Sequence, residues 1–359
     1  MTMSSVVLAD DPRATILLYH GLTEGCPEDM HQKRKERFYD DMLYIKDNFD
    51  VISLSELQDI IEKRGSLSRN TVVITFDDGL KSDYTIAAPI LEEFGFPATF
   101  FVVTNWRENE DYMNWEQIQE LSQVTVDGEF LFTIGSHSHT HLYPGLQNLT
   151  GAALRSELEV SKNLIDQHIE PRLCEAFSLP YGTLPSDEES FLSLAEELGY
   201  KLIRTSRIEN VDVATDDLLH LPCLPLYDFT EPGFIGAFHQ NPLLPYLYFD
   251  PVQDVNISKS YVIEVPVTGI ALYDDDDNLS NDGIVIEADF DDNELIKDLW
   301  VDYTAPQDEA VIHIEVNEGI YGRAKINLKV SAPGAYPSSG YFYANVNAPA
   351  TILLYQGLT

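Results

Sequence analysis

Two short segments of the sequence carry the side chains best suited to chemistry, and the first is residues 71–79. It reads TVVITFDDG, an apolar run that delivers Asp77 and Asp78 into a glycine turn. Two adjacent buried carboxylates are costly without partners, so a metal, a cation or a shared proton is expected beside them. Because successive residues point in different directions, one carboxylate can bind a metal while the other faces a water molecule. The pattern alone fits a helix N-cap beside a surface acid equally well.

The second segment, residues 134–145, reads IGSHSHTHLYPG and places three histidines within five residues. Its glycine, serine and proline residues favour a loop that follows a strand. Neutral imidazoles from His137 and His141, together with one Asp, suit zinc first, and also cobalt, nickel or iron. Such a set leaves open positions for water and substrate. His139 is expected to support these ligands or face solvent rather than bind the metal.

A larger scaffold must position these segments, and up to about residue 240 short apolar runs alternate with amphipathic ones. This alternation is typical of parallel strands joined by helices and predicts an α/β fold. His20, the Asp77–Asp78 pair, His137 and Tyr181 each follow a predicted strand, and an α/β barrel would gather them at one face. The predicted strands are 15–19, 72–76, 98–103, 130–134, 175–179 and 201–204, and the helices predicted between them include 37–48, 84–94, 152–168 and 188–198.

After about residue 250 the pattern changes to β-branched runs separated by turn residues, which predicts an antiparallel β module with strands near 261–267, 283–288, 310–316 and 324–330. Its acidic residues could hold calcium, but they lack the spacing of an EF-hand loop, and solvated loops are favoured. They are residues 274–277, Asp282, Asp289, Asp291 and Asp292. Its tyrosines could stack on sugars, although packing is their commoner use. They are Tyr303, Tyr321, Tyr336, Tyr341 and Tyr343.

Sixty acidic residues against twenty-two basic ones give a net charge of −38, which repels phosphate backbones and anionic membrane surfaces. Nucleic acid is therefore not expected as a partner, and no apolar stretch is long enough to span a membrane. The N-terminal residues show no signal peptide, which predicts a cytoplasmic location as written and an extracytoplasmic one if a leader was removed. The three cysteines form no short-spaced pair. The oligomeric state stays open.

TFDDG, followed about sixty residues later by HSHTH, resembles the first two motifs of the polysaccharide deacetylase family, the NodB-like carbohydrate esterases. AFSLPYG, residues 176–182, is similar to the third motif. The resemblance implies a deformed (β/α) barrel over residues 12–245 that acts on an N-acetylated polysaccharide or oligosaccharide. The β module over residues 250–359 lies outside the resemblance, and its role is unassigned.

The resemblance also implies roles for individual residues. Asp77 would be the catalytic base, and the metal ligands would be Asp78, His137 and His141. The backbone N–H of Tyr181 would stabilise the oxyanion of the tetrahedral intermediate. Pro180 of the same motif and Trp106 are expected to contact the substrate, and Trp115 is a further candidate for sugar stacking.

The sequence departs from the commonest family pattern at Ser178, where an arginine usually orients the base. The exopolysaccharide deacetylases that act on poly-N-acetylglucosamine tend to lack this arginine, and their catalytic histidine lies in a YH segment on the first strand. LLYHGL, residues 17–22, fits that subgroup and makes His20 the predicted general acid. His220 and His239 are weaker alternatives for the acid, and Arg204 is a candidate substitute for the arginine.

The predicted function is metal-dependent hydrolysis of the acetamide of N-acetylated sugars in a polysaccharide, with release of acetate. One alternative is a C–N hydrolase of a small formyl or cyclic amide on the same fold. Another is a catalytically silent carbohydrate-binding protein. One further feature has no physical account: ATILLYHGLT at residues 14–23 recurs as ATILLYQGLT at 350–359.

Overall fold

The structure is a computed structural model, which describes residues 13–240, 246–257, 263–268, 270–273, 283–291, 294–303, 309–317 and 320–346. Over these residues the chain forms two compact units. The first contains residues 13–24, 31–227 and 232–240, and the second contains residues 25–30, 228–231 and the described residues from 246 onward. The domain boundaries given by the sequence stay predictions.

The first unit is built on a parallel sheet with the order β11-β10-β9-β6-β5-β1-β12, and β4 also pairs with β5. The short pairs β2–β3 and β7–β8 lie outside this sheet. The strands are β1 (Ala14–Tyr19), β2 (Leu22–Thr23), β3 (Lys33–Arg34), β4 (Asp50–Val51), β5 (Thr71–Phe76), β6 (Ala98–Val102), β7 (Thr125–Val126), β8 (Glu129–Phe130), β9 (Phe132–Ser136), β10 (Ala176–Ser178), β11 (Leu202–Arg204) and β12 (Leu224–Pro225).

The segment that ends in β12 forms hydrogen bonds beside β11 and then pairs with β1. Leu221 N–H donates to the Ile203 carbonyl at 3.0 Å, and Thr205 N–H donates to the Leu221 carbonyl at 2.9 Å. Three residues later, Leu224 is in register with Leu17 of β1. The sheet is therefore drawn into a deformed barrel, whose strands end at one face.

Every residue of β1, β5 and β6 is buried, as expected for parallel strands covered on both faces. Aromatic rings on four neighbouring strands form a row through the core: Tyr19 lies 5.4 Å from Phe76, Phe76 lies 5.1 Å from Phe100, and Phe100 lies 5.4 Å from Phe132. Two of its members, Tyr19 and Phe76, end their strands and directly precede His20 and Asp77.

Helices connect these strands, and α6 shows both sequence signals of a helix, with the Asp187 side chain at its N-cap and Gly199 in the left-handed region at its end. The predicted helix 84–94 is divided into a π-helical turn at Asp83–Ala87 and α3. Among the described residues, no helix has the length and apolar character that crossing a membrane requires. The helices are α1 (Lys35–Asn48), α2 (Leu54–Glu62), α3 (Ala88–Phe94), α4 (Trp115–Gln123), α5 (Gly151–Ile169), α6 (Glu188–Leu198) and α7 (Pro232–Gln240).

The second unit is β-rich, and its strand pairs are antiparallel except for the parallel pair β14–β21. The predicted antiparallel module is confirmed, with sheets β14-β21-β20-β17, β15-β19-β18 and β13-β16. The strands are β13 (Tyr246–Tyr248), β14 (Val255–Ile257), β15 (Ile263–Val267), β16 (Ala271–Tyr273), β17 (Val285–Phe290), β18 (Ile296–Asp302), β19 (Ala310–Val316), β20 (Gly322–Ser331) and β21 (Ser338–Val346).

Several predictions for this unit concern residues 274–277, Asp282, Asp292 and 350–359, which lie outside the described residues. Of the tyrosines considered for sugar stacking, two have a cation over the ring. Arg323 lies 3.5 Å from the centre of Tyr343, and Lys325 lies 4.2 Å from the centre of Tyr341. Each of these rings already has one occupied face.

A buried histidine lies at the amino-terminal end of β1. The Thr15 hydroxyl donates to Asn210 Oδ1 at 2.6 Å. Its oxygen lies 2.7 Å from His239 Nδ1, which therefore carries a hydrogen and donates it to the Thr15 oxygen. His239 Nε2 is buried and has no hydrogen-bond partner in the described part of the chain. Burial, with a smaller effect of the Arg13 charge, lowers the pKa of His239 to about 4.

This arrangement predicts a loss of stability in acid. The folded state keeps His239 neutral, whereas the unfolded chain binds a proton below the ordinary histidine pKa of about 6.5. The contribution of His239 is therefore full above that pH and decreases as the pH falls toward 4. Between about pH 7.5 and 4.5, the free energy of unfolding should fall roughly 2–3 kcal/mol more for the wild type than for His239→Asn, measured by denaturant unfolding. Parallel pH profiles for the two proteins would contradict this account.

Candidate active site

Asp77 and Asp78 directly follow β5 in a turn that separates their side chains. Asp77 is 3% exposed, whereas Asp78 is partly exposed and has a positive φ of 73°, followed by Gly79 at 68°. The buried guanidinium of Arg107 holds this turn, because it donates to the Gly79 carbonyl at 2.9 Å and to the Asp78 carbonyl at 3.1 Å. Arg107 was not predicted from the sequence, since an arginine whose hydrogen bonds go to backbone oxygens leaves no motif.

Asp78, His137 and His141 come together as the sequence predicted. Asp78 Oδ1 lies 3.5 Å from His137 Nε2 and 3.6 Å from His141 Nε2, and all three ligand atoms lie within 4.8 Å of one another. His137 Nδ1 is 2.9 Å from the Ser178 carbonyl oxygen, which can only accept a hydrogen bond. Nδ1 of His137 therefore carries the hydrogen, and the lone pair of its Nε2 points toward the ligand atoms of Asp78 and His141.

The three side chains fit a divalent metal. One carboxylate oxygen and two imidazole nitrogens are donors that suit zinc and similar ions. Bonds of about 2.0–2.2 Å in a tetrahedral arrangement separate neighbouring ligand atoms by roughly 3.3–3.6 Å, close to the two separations between Asp78 and the histidines. The roles of these residues as ligands stay predictions.

The histidine loop depends on Glu157 of α5, which the sequence analysis did not single out. Its carboxylate accepts the N–H of His139 at 3.1 Å, the N–H of Thr140 at 2.8 Å and the Thr140 hydroxyl at 2.7 Å. The His139 ring lies away from the other two histidines, with Nδ1 2.9 Å from the Thr104 hydroxyl oxygen. Its position suits the supporting role predicted for it.

Asp77 has two different oxygens. Oδ2 is paired with Arg204 of β11 and accepts the Ser178 hydroxyl at 3.1 Å, whereas Oδ1 is buried and has no hydrogen-bond partner among the described residues. Burial alone would raise the pKa of Asp77, but the charges of Arg204, His137 and His20 outweigh it and lower the pKa to about 2. Asp77 is therefore a carboxylate at neutral pH, with one oxygen free to accept a proton. Arg204 occupies the place beside it that the sequence analysis suggested.

His20 follows β1 and, of the three candidates for the general acid, is the one near the carboxylates. Burial has the largest effect and lowers the pKa of His20, and the charges of Asp78 and Asp77 offset this only in part. The two alternatives lie elsewhere: His220 pairs with Glu188 at 2.9 Å and with Asp217, and His239 lies at the opposite end of β1. The assignment of the general acid stays a prediction, supported by position.

Tyr181 lies in a short 3₁₀ helix, Pro180–Gly182, at a positive φ of 57°. Its ring centre is 4.6 Å from that of His141, and the Trp106 ring centre lies 5.1 Å from that of His141. Pro180 is buried, so its side chain offers little surface to a substrate. The candidate Trp115 stacks on His168 at 4.0 Å and has a ring face already occupied. The predicted substrate contacts of Pro180 and Trp106 stay predictions.

The fold and this site define an α/β-barrel enzyme whose functional groups lie at the carboxyl ends of the parallel strands. Residues 64–203 match the family model for polysaccharide deacetylase. Over these residues the chain is therefore similar to a polysaccharide deacetylase domain.

Individual proteins support this assignment. The chain is 29% identical over 188 residues to YxkH of Bacillus subtilis, a candidate polysaccharide deacetylase, and the match covers 52% of this chain and 62% of that protein. It is 26% identical over 133 residues to the poly-β-1,6-N-acetyl-D-glucosamine N-deacetylase of Staphylococcus aureus, covering 35% of this chain and 46% of that one. The chain thus spans less than two thirds of either relative.

The fold is also found in a solved structure, the deacetylase PplD of Streptococcus pyogenes in complex with acetate. The TM-score is 0.56 at 22% identity, over 63% of this chain and 98% of that chain. The predicted deformed barrel is confirmed.

The contacts of Glu157 predict that this residue affects the affinity for the metal, although it is not a proposed ligand. Glu157→Ala leaves two loop N–H groups without their acceptor, so the affinity for zinc should weaken about 10–100-fold, as for other supporting residues at metal sites. Competition with a chromophoric chelator measures this, and circular dichroism checks the fold. The control is Glu159→Ala on the same helix, whose exposed carboxylate lies 3.8 Å from Arg155. Equal zinc affinity in all three proteins would contradict the role of Glu157.

Proposed function

We propose that this protein hydrolyses the acetamide of N-acetylated sugars in a polysaccharide and releases acetate. One observation carries the proposal: a group that fits a metal, Asp78, His137 and His141, lies beside a buried carboxylate whose Oδ1 has no partner in the described chain. Hydrolysis of an amide needs an activated water molecule, a base for its proton and an acid for the leaving amine. The strand ends supply a candidate for each.

A divalent ion held by Asp78, His137 and His141 would polarise the acetamide carbonyl and lower the pKa of the attacking water. In the proposed reaction Asp77 Oδ1 accepts the proton of that water, and Arg204 keeps Oδ2 in place. The backbone N–H of Tyr181, in the turn Pro180–Gly182, donates to the oxyanion. His20 protonates the departing amine, so the products are acetate and a free amino sugar.

The proposed substrate is a polymer of N-acetylglucosamine. Its support is the relatives named as poly-β-1,6-N-acetyl-D-glucosamine N-deacetylases in Escherichia coli and Staphylococcus aureus. The match covers 18% of the former and 46% of the latter. A second support is the position of His20 on the first strand, together with Ser178 in place of the arginine. Zinc is the proposed native metal, with cobalt, nickel and iron as alternatives.

The test is acetate release from β-1,6-linked N-acetylglucosamine oligomers, with chelator and then with added zinc, cobalt or nickel. Chelator should abolish release, and metal should restore it. Asp77→Asn should lower kcat about 10²–10⁴-fold, the range for loss of a general base, while bound zinc stays near the wild-type level. The control Asp127→Asn changes an exposed residue at a positive φ that asparagine tolerates, and should keep full activity.

Other outcomes separate the rival functions. Bound metal without acetate release, together with hydrolysis of a small formyl or cyclic amide, would replace the proposal with a small-amide hydrolase. Absence of bound metal, together with binding of the oligomers, would favour a carbohydrate-binding protein. Chelator-resistant acetate release would refute the metal role.

A further inference from the structure

Two large side chains directly after the proposed ligand His141 face solvent. Leu142 is 47% exposed and Tyr143 is 78% exposed. A tyrosine usually buries much of its ring, because the ring supplies hydrophobic contact area. An exposed aromatic ring next to a reaction site is therefore a candidate binding surface.

The turn that holds Tyr143 is fixed in place. Gly145 N–H donates to the Leu142 carbonyl at 2.6 Å, and the Gln147 side chain donates to the Pro144 carbonyl at 2.9 Å. Gly145 has a φ of 113°, and a Cβ at this position would lie 3.0 Å from the Pro180 carbonyl oxygen. The turn thus packs closely against the short helix that carries Tyr181.

This packing brings the two tyrosines together. The rings of Tyr143 and Tyr181 lie 5.6 Å apart at 89°, an edge-to-face contact, and Tyr181 lies 4.6 Å from His141. Tyr181 is itself 48% exposed. A continuous aromatic surface therefore leads from the proposed metal ligand to solvent, and it ends in two exposed rings at a right angle.

We propose that Tyr143 and Tyr181 bind the pyranose ring of the sugar unit next to the one being deacetylated. A pyranose has an apolar C–H face and hydroxyl groups around its edge, which match an aromatic face with a phenol hydroxyl at its tip. Perpendicular rings can contact the face and the edge of one sugar together. Two side chains offer far too little area for a stable protein interface, which needs roughly 800 Å² from each partner. This inference rests on the proposed function and adds a preference for chains of several units.

The test compares N-acetylglucosamine with its β-1,6-linked pentamer. The ratio of kcat/KM for the pentamer to that for the monomer should fall about five- to tenfold in Tyr143→Ala, through KM for the pentamer, because one ring contact of about 1 kcal/mol is lost. Tyr143→Phe should keep most of the ratio, since the ring face remains. The matched control is Phe130→Ala. Phe130 is an exposed aromatic residue in β8, and it precedes the amino-terminal end of β9, whereas the site lies at the carboxyl end. Bound zinc should be equal in all four proteins, which shows that the His141 loop is intact.

Binding gives a second measurement that needs no turnover. Calorimetric titration of the Asp77→Asn protein with the pentamer, with and without Tyr143→Ala, should show at least fivefold weaker binding when the tyrosine is absent. If Tyr143→Ala leaves both the ratio and pentamer binding unchanged, or lowers monomer and pentamer turnover equally, the inference is wrong while the proposed function stands. If no protein releases acetate, the proposed function fails, and the binding result alone decides whether Tyr143 recognises a sugar chain.

Discussion

The structure of the site depends on one buried ion pair, between Asp77 and Arg204. Both residues are almost fully buried, at 3% and 1% exposure, and charges in such surroundings are stable only when paired and hydrogen-bonded. Removing one partner of a buried pair costs about 3–5 kcal/mol, because the other charge is left without compensation. Arg204 also bonds the Ser178 hydroxyl and the Cys223 sulfur at 3.0 Å. One guanidinium thus joins β5, β10, β11 and the segment that closes the barrel, so the geometry of the base and the closure of the sheet share the same contacts.

The turns that carry the proposed ligands are stabilised differently, because charged side chains form hydrogen bonds with their backbone groups. Arg107 donates to the carbonyls of Asp78 and Gly79, and Glu157 accepts the N–H groups of His139 and Thr140. The turns that they hold include residues at positive φ, Asp78 at 73° and His141 at 52°, a backbone conformation that is uncommon for residues other than glycine. Fixing such turns before a metal binds reduces the reorganisation that binding would otherwise require.

The sequence predicted the features that local patterns encode. The buried strands β1 and β5 are apolar runs that lead to His20 and to the two carboxylates, and β9 leads to the histidine loop, so their convergence followed from the parallel arrangement. The helices α2 and α4 were not among those named from the sequence, although each begins with a capping box, at Ser53 and Asn114, that marks its start. Arg107 and Glu157 were unpredictable, because they act on backbone groups of distant residues and leave no motif. Arg204 was foreseen only because the resemblance left a missing arginine to replace.

The residues at the two ends of β1 have different roles. His20 at its carboxyl end faces the carboxylates, while Thr15 near its amino end belongs to the buried cluster with Asn210 and His239. In barrels of this kind the amino-terminal face contributes mainly stability. Most of the length of β1 lies between these two groups of residues. The cluster of Thr15, Asn210 and His239 can therefore be redesigned for greater stability in acid without changing the residues around His20.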